Sequence, residues 1–132
     1  MFLSLDISTS GLVAQCTRLD AISSNIANAD VIVDPKSPTA FSERVVEFAQ
    51  GDPASGDPNG VHVASITPRK AFRSVFSPND PKADADGMIW YPAIDPMVQQ
   101  ANAMLASRAY DANLAAIDAS KAMFDASLRI IA

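Results

Sequence analysis

Apolar residues crowd the two ends of this chain at helical spacing, while the middle is broken by turn formers. Alanine, methionine and leucine dominate from Asp95 to Ala132, and no glycine or proline follows Pro96. Propensity and spacing predict one long helix there, opened by Asp95 as N-cap carboxylate and Pro96 at the first helical position. Unbroken, it spans roughly 50 Å at about 1.5 Å per residue. Around its circumference Gln100, Ser107, Asp111, Asp118, Asp125 and Arg129 form a narrow polar stripe. Tyr110, Leu114, Ile117, Phe124, Leu128 and Ile131 form a bulky apolar ridge on one side of it. Val98, Ala101, Leu105, Ala109, Ala112, Ala116, Ala119 and Met123 form a flatter, alanine-rich ridge on the other. This is more apolar surface than one neighbour covers. Two readings stay open: the central helix of an all-α domain, and a helix that packs against other subunits.

Residues 5 to about 29 predict a second amphipathic helix. Leu5, Leu12, Cys16, Leu19, Ile22 and Ile26 form one stripe, with Leu12, Leu19 and Ile26 repeating at seven. Cys16 on that stripe is expected to be a small buried hydrophobe, since no histidine or basic cluster near it in sequence would activate a thiol. Asn25 and Asn28 close the segment, either as a helix end or as amides that bond backbone or a neighbouring chain. Compatible stripes at the two ends suggest a coiled-coil-like pair.

The middle, 31–94, holds eight of nine prolines and four of five glycines. Strand-like residues run from Phe41 to Phe48, Val61 to Ile66, Phe72 to Phe76 and Met88 to Tyr91. Gly51 to Gly60 is nearly all turn formers and is expected to be a mobile loop. The chain is therefore expected to be mainly α with a small β-rich insert of short antiparallel strands. Its division is an N-terminal helix in 1–30, the insert in 31–94 with the mobile loop 51–60, and a C-terminal helix in 95–132. A core of three or four strands is marginal unless it packs on something else.

Ten Lys+Arg stand against fifteen Asp+Glu, a balance that argues against nucleic-acid binding. One cysteine excludes an intramolecular disulfide. The N-terminal Met1-Phe2-Leu3-Ser4-Leu5 lacks a basic region and meets Asp6 early, so no cleaved signal peptide is expected. Nothing approaches a membrane span of about 20 apolar residues. Candidate chemistry is sparse. His62 has no ligand-spaced cysteine or carboxylate, although a spatial Ser/His/Asp set stays open. Asp80, Asp84 and Asp86-Gly87 miss calcium-loop spacing and fit an Asx-turn better. Trp90 and Tyr91 suit an anchor in a small core or interface. No cofactor, metal or catalytic residue is expected.

Three stretches together resemble a known family. Ser10 to Gln15, running on through Arg18 to Ala29, is similar to the N-terminal signature of the bacterial flagellar rod, hook and hook-associated axial proteins. Ser107 to Asn113 is similar to their C-terminal signature. Pro81 to Gly87, continuing to Tyr91-Pro92, resembles the FlgC-type proximal rod proteins of the basal body. The resemblance implies a structural subunit exported without a cleaved signal by the flagellar type III apparatus. It further implies helical assembly within the periplasm with copies of itself and other rod subunits, next to a rod-to-ring adaptor and the membrane-ring protein. Such a rod transmits torque and walls the export channel. On this reading Leu12, Leu19, Ile22, Ile26, Leu114, Ile117, Phe124 and Leu128 carry the helix contacts between subunits. Asn25, Asn28, Arg108, Tyr110 and Asn113 supply polar contacts that fix register. A coiled-coil adaptor or export chaperone forming a closed oligomer is the alternative.

Overall fold

A computed structural model describes residues 2–52, 54 and 56–131; positions 1, 53, 55 and 132 lie outside the described residues. Two long helices flank two hairpins. In order they are α1 (Phe2–Asn28), β1 (Glu43–Asp52), β2 (Asp57–Arg69), β3 (Phe72–Phe76), β4 (Met88–Pro92) and α2 (Pro96–Ile131). The expected architecture, helices at both ends around a small antiparallel insert, is what the chain adopts.

The Asp95 cap acts where the sequence places it. Asp95 Oδ1 accepts the Met97 N–H at 2.8 Å and its carbonyl accepts the Gln99 N–H at 3.0 Å, while Pro96 begins α2. At the far end of α1, Asn28 Nδ2 donates back to the Ser24 carbonyl, four residues earlier, at 2.8 Å, a local bond within the last turn.

The helices run antiparallel. Ser4 meets Ser120, Gly11 meets Asn113, and Asn25 meets Gln99. Every seven residues gained along α1 are seven lost along α2, the spacing of a coiled-coil seam. The seam side chains are small or polar, and Ala14, Ala21, Ala29 and Ala106 are buried with them. Small residues let the backbones approach closely. The heptad leucines do not form this seam: Leu12 and Leu19 are half-buried and Ile26 is exposed. Cys16, expected to be buried, is exposed. The leucine stripe and the seam share a period of seven but lie about 100° apart on α1. Periodicity alone could not choose between them.

The ribbon β1–β2 packs along α1, with β1 antiparallel to the helix. Its ladder extends through most of the stretch expected to be a loop: Gln50 pairs with Val61 and Asp52 with Asp57. Gly51 sits at φ 84° in a register shift, and Gly60 at φ 86°. Glycine tolerates these conformations, so the ladder bulges and continues instead of ending. Gly60 also permits contact with α1, since a Cβ there would stand 2.7 Å from Ser10 Oγ.

The second hairpin, β3–β4, pairs Phe72 with Pro92 through to Phe76 with Met88. Val33 extends it by donating its N–H to the Trp90 carbonyl at 2.9 Å. Arg73 ties it to the end of α1, bonding Asp30 at 3.0 Å and lying 5.0 Å over the Tyr91 ring. The four strands thus form two separate ribbons, each leaning on something else, as so small a sheet must.

Candidate assembly surface

Asn25 is the joint where both helices and the ribbon meet. It is 1% exposed, and Gln99 is 3% exposed. The Arg44 N–H donates to Asn25 Oδ1 at 2.8 Å, and Asn25 Nδ2 donates to the Arg44 carbonyl at 3.0 Å. The amide therefore mimics a neighbouring strand at the start of β1. Its second N–H reaches Gln99 Oε1 at 3.2 Å. Gln99 Nε2 donates to Glu43 Oε1 at 2.8 Å, and Glu43 Oε2 lies 3.3 Å from Arg69 Nη1. Such a buried polar chain is favourable only when each member is satisfied, as here, and it then specifies one arrangement.

A second tie holds the other end of the ribbon. Ser10 Oγ donates to the Ile7 carbonyl at 2.7 Å and accepts the Val61 N–H at 3.1 Å. Ser10 and Asn25 lie about 22 Å apart along α1. From Arg44 to Gln50, the partner of Val61, β1 covers about 20 Å. The two spans match, so the ribbon lies flat against the helix.

The remaining candidates for chemistry are occupied structurally. His62 Nδ1 pairs with the Gly51 carbonyl at 2.7 Å. Ser10, Asp6 and Asp52 line the same groove, but the Ser10 hydroxyl proton goes to Ile7, so Ser10 and His62 do not form a nucleophile–base pair. Asp80 Oδ1 accepts the Lys82 N–H at 2.8 Å and Asp84 Oδ1 accepts the Asp86 N–H at 3.0 Å, the Asx-turns anticipated from spacing. Asp84 also accepts the Met88 N–H at 2.9 Å and, through Oδ2, the Trp90 indole N–H at 3.0 Å. The bond from Trp90, then that from Met88, holds the Asp84 carboxyl below its ordinary value.

The predicted interface residues divide three ways. Asn25 and Asn28 are engaged within the chain, and Asn113 packs on Gly11 across the seam. Ile22 is buried, and Ile117 and Tyr110 are half-buried on the α2 side facing α1. Ile26, Leu114, Phe124, Leu128 and Arg108 are exposed, with Leu12 and Leu19 only half-covered. Val98, Leu105 and Met123, on the alanine-rich side of α2, are each more than half exposed. Sequence reasoning missed Gln99 and the seam of small residues. Gly11 inside a helix was the available signal for a close approach.

After pairing with each other, the helices still leave apolar side chains exposed, among them Val13 and Ile26 on α1 and Val98, Leu105 and Met123 on α2. The family described as flagella basal body rod protein matches residues 5–32. The chain is 38% identical to flagellar basal-body rod protein FlgC of Salmonella typhimurium over 120 residues, covering 89% of this chain and 88% of that protein. It is 33% identical to FlgC of Bacillus subtilis over 148 residues, covering 98% and 97%. With FlgC of Aquifex aeolicus the identity is 32% over 127 residues, covering 95% and 92%. The chain belongs to the FlgC family of flagellar basal-body rod proteins. Among the described residues, no helix is long and apolar enough to cross a membrane.

Proposed function

We propose that this chain is a non-catalytic structural subunit of the proximal flagellar rod, and that neighbouring copies complete its apolar cover. The observation that carries this reading is the apolar surface left exposed or half-covered once α1 and α2 have docked. On α1 it comprises the exposed Val13 and Ile26 and the half-buried Leu12 and Leu19; on α2 it comprises the exposed Val98, Leu105 and Met123. At about 25 cal/mol per Å² of apolar area removed from water, a few such side chains per contact drive association strongly. Identical head-to-tail contacts that do not close build a helical filament able to carry torque and enclose a channel. Leu114, Phe124 and Leu128 are the further apolar contacts in this scheme, with Arg108 and Tyr110 as polar ones. Ile22, Ile117, Asn25, Asn28 and Asn113 shape the protomer that is stacked. The partners are other copies, other rod subunits, the rod-to-ring adaptor and the membrane-ring protein. The route is the type III export apparatus, without a cleaved signal, to a rod within the periplasm. In this scheme α1 and α2 belong to the axial wall and the insert between them lies outside it.

The test is particle size across a concentration series, together with motility of cells carrying Leu19→Asp. Open-ended growth and loss of motility are expected. A fixed dimer would favour a closed adaptor, and normal motility with Leu19→Asp would refute the assignment.

A further inference from the structure

A small open cleft of about 200 Å³ lies where α1, the ribbon and α2 meet, beside the bond between Asn25 and Gln99. Arg18 from α1, Arg44 from β1 and Arg69 from β2 line it, and Glu43 is the one carboxylate among its lining residues. Three guanidinium groups against one carboxylate leave an excess of two positive charges, in a chain whose net charge is -5. Glu43 cannot balance them. Its Oε1 accepts from Gln99 Nε2, and its Oε2 lies 3.3 Å from Arg69 Nη1. Other acids close in sequence are engaged: Glu47 accepts the Ser65 hydroxyl at 2.8 Å, and Asp95 caps α2.

Arg18 is the member left over. Arg44 lies 5.6 Å over the Phe41 ring and Arg69 has Glu43. Arg18 is half-buried on α1, and among the described residues no hydrogen bond or ion pair reaches its guanidinium. The Asn102 amide, which lines the cleft with it, is likewise without a partner among the described residues. The cleft thus holds donors in excess and no spare acceptor. Val98 lines it too and is 52% exposed. A neighbour that covers Val98 takes Arg18 further out of water, and a charge removed from water without a counter-charge is costly. The neighbour therefore has to bring the acceptor. At about 200 Å³ the cleft is smaller than the roughly 300–1,000 Å³ of small-molecule sites and suits a single acidic side chain.

We infer that this cleft receives a carboxylate side chain of an adjoining rod subunit, held by Arg18 with Asn102 and Arg69 beside it. The inference rests on the rod-subunit reading and deepens it by stating the chemistry of the partner surface. The planar fork of an arginine matches the two oxygens of a carboxylate, so the bond fixes direction as well as charge. A neighbour that offers an apolar or basic group at this point leaves Arg18 covered and unmatched. The cleft therefore also selects how subunits are seated.

Full-length chain carrying Arg18→Met tests it. Methionine keeps the apolar stem, and the guanidinium bonds nothing within the chain, so the denaturant midpoint of the single subunit should be unchanged. The concentration needed for growth should rise about tenfold or more, as when one side of a covered charge pair is lost. Arg18→Lys keeps the charge without the fork and should fall between the two. Growth of Arg18→Met at the unmodified concentration overturns the inference and leaves the rod reading standing. A lowered midpoint that accounts for the lost growth makes Arg18 a residue of the fold and overturns it as well. Binding of inorganic phosphate to the single subunit, lost in Arg18→Met while growth is kept, assigns the cleft to a free anion and overturns the subunit contact. Failure of the unmodified chain to grow at any concentration overturns both readings.

Discussion

Gly11 and Asn113 touch across the helix seam so closely that a Cβ on Gly11 would stand 2.6 Å from the Asn113 amide nitrogen. The absence of a side chain at Gly11 sets the distance between α1 and α2 at this level. Alanine at 11 would gain about 1 kcal/mol in helix propensity. It must also displace the end of the Asn113 side chain. We expect Gly11→Ala alone to be close to neutral and Gly11→Ala with Asn113→Ala to raise stability by about 1 kcal/mol, as measured by denaturant midpoint. Gly11→Leu should splay the helices and lower the midpoint.

Asn25→Leu should be far more damaging. It leaves the Arg44 N–H and C=O and the Gln99 carbonyl oxygen without their partner at the buried joint. Each unsatisfied buried group costs about 1–3 kcal/mol. The expected outcome is a loss of several kcal/mol in chemical denaturation, with the Arg44 amide losing hydrogen-exchange protection first. Retained protection at Arg44 would show that the ribbon is held by other means.

Asp84 makes the second hairpin sensitive to acid. Its folded carboxyl lies below the ordinary value of 3.8, chiefly through the bond from Trp90. A depressed folded value means the stabilisation is fully present above 3.8 and is lost as pH falls through the lower folded value. The Trp90 indole N–H resonance should hold its position from neutral pH to about 4 and shift only below that. Asp84→Asn should abolish that shift without changing the helices.

Asp95→Ala removes the acceptor of the Met97 N–H at the start of α2. Loss of an N-cap of this kind costs about 1 kcal/mol. Thermal unfolding should register it, and Asp95→Ser should recover most of the loss.

Both helices, the Asp95 cap and the Asx-turns were legible because each depends on local chemistry. Pro96 after Asp95, heptad spacing, and an acceptor two residues before an N–H are all visible in one dimension. The strand positions were legible too, but their ends near Gly51 and Gly60 were not. A glycine that bulges a ladder and a glycine that ends it look alike until a partner strand is present. The seam was missed for a related reason. The Ser4, Gly11, Arg18, Asn25 series and the leucine series share one period, and bulk drew attention to the leucines. The amide pairing of Asn25 with Arg44, nineteen residues away, has no local signature at all.

The ribbon β1–β2 is fastened to α1 at Asn25 and again at Ser10. A beam pinned at one end swings about its pin; a beam pinned at both moves only with its support. Any displacement of the helix therefore carries the ribbon with it. Releasing either fastening would turn a rigid spoke into a hinged flap.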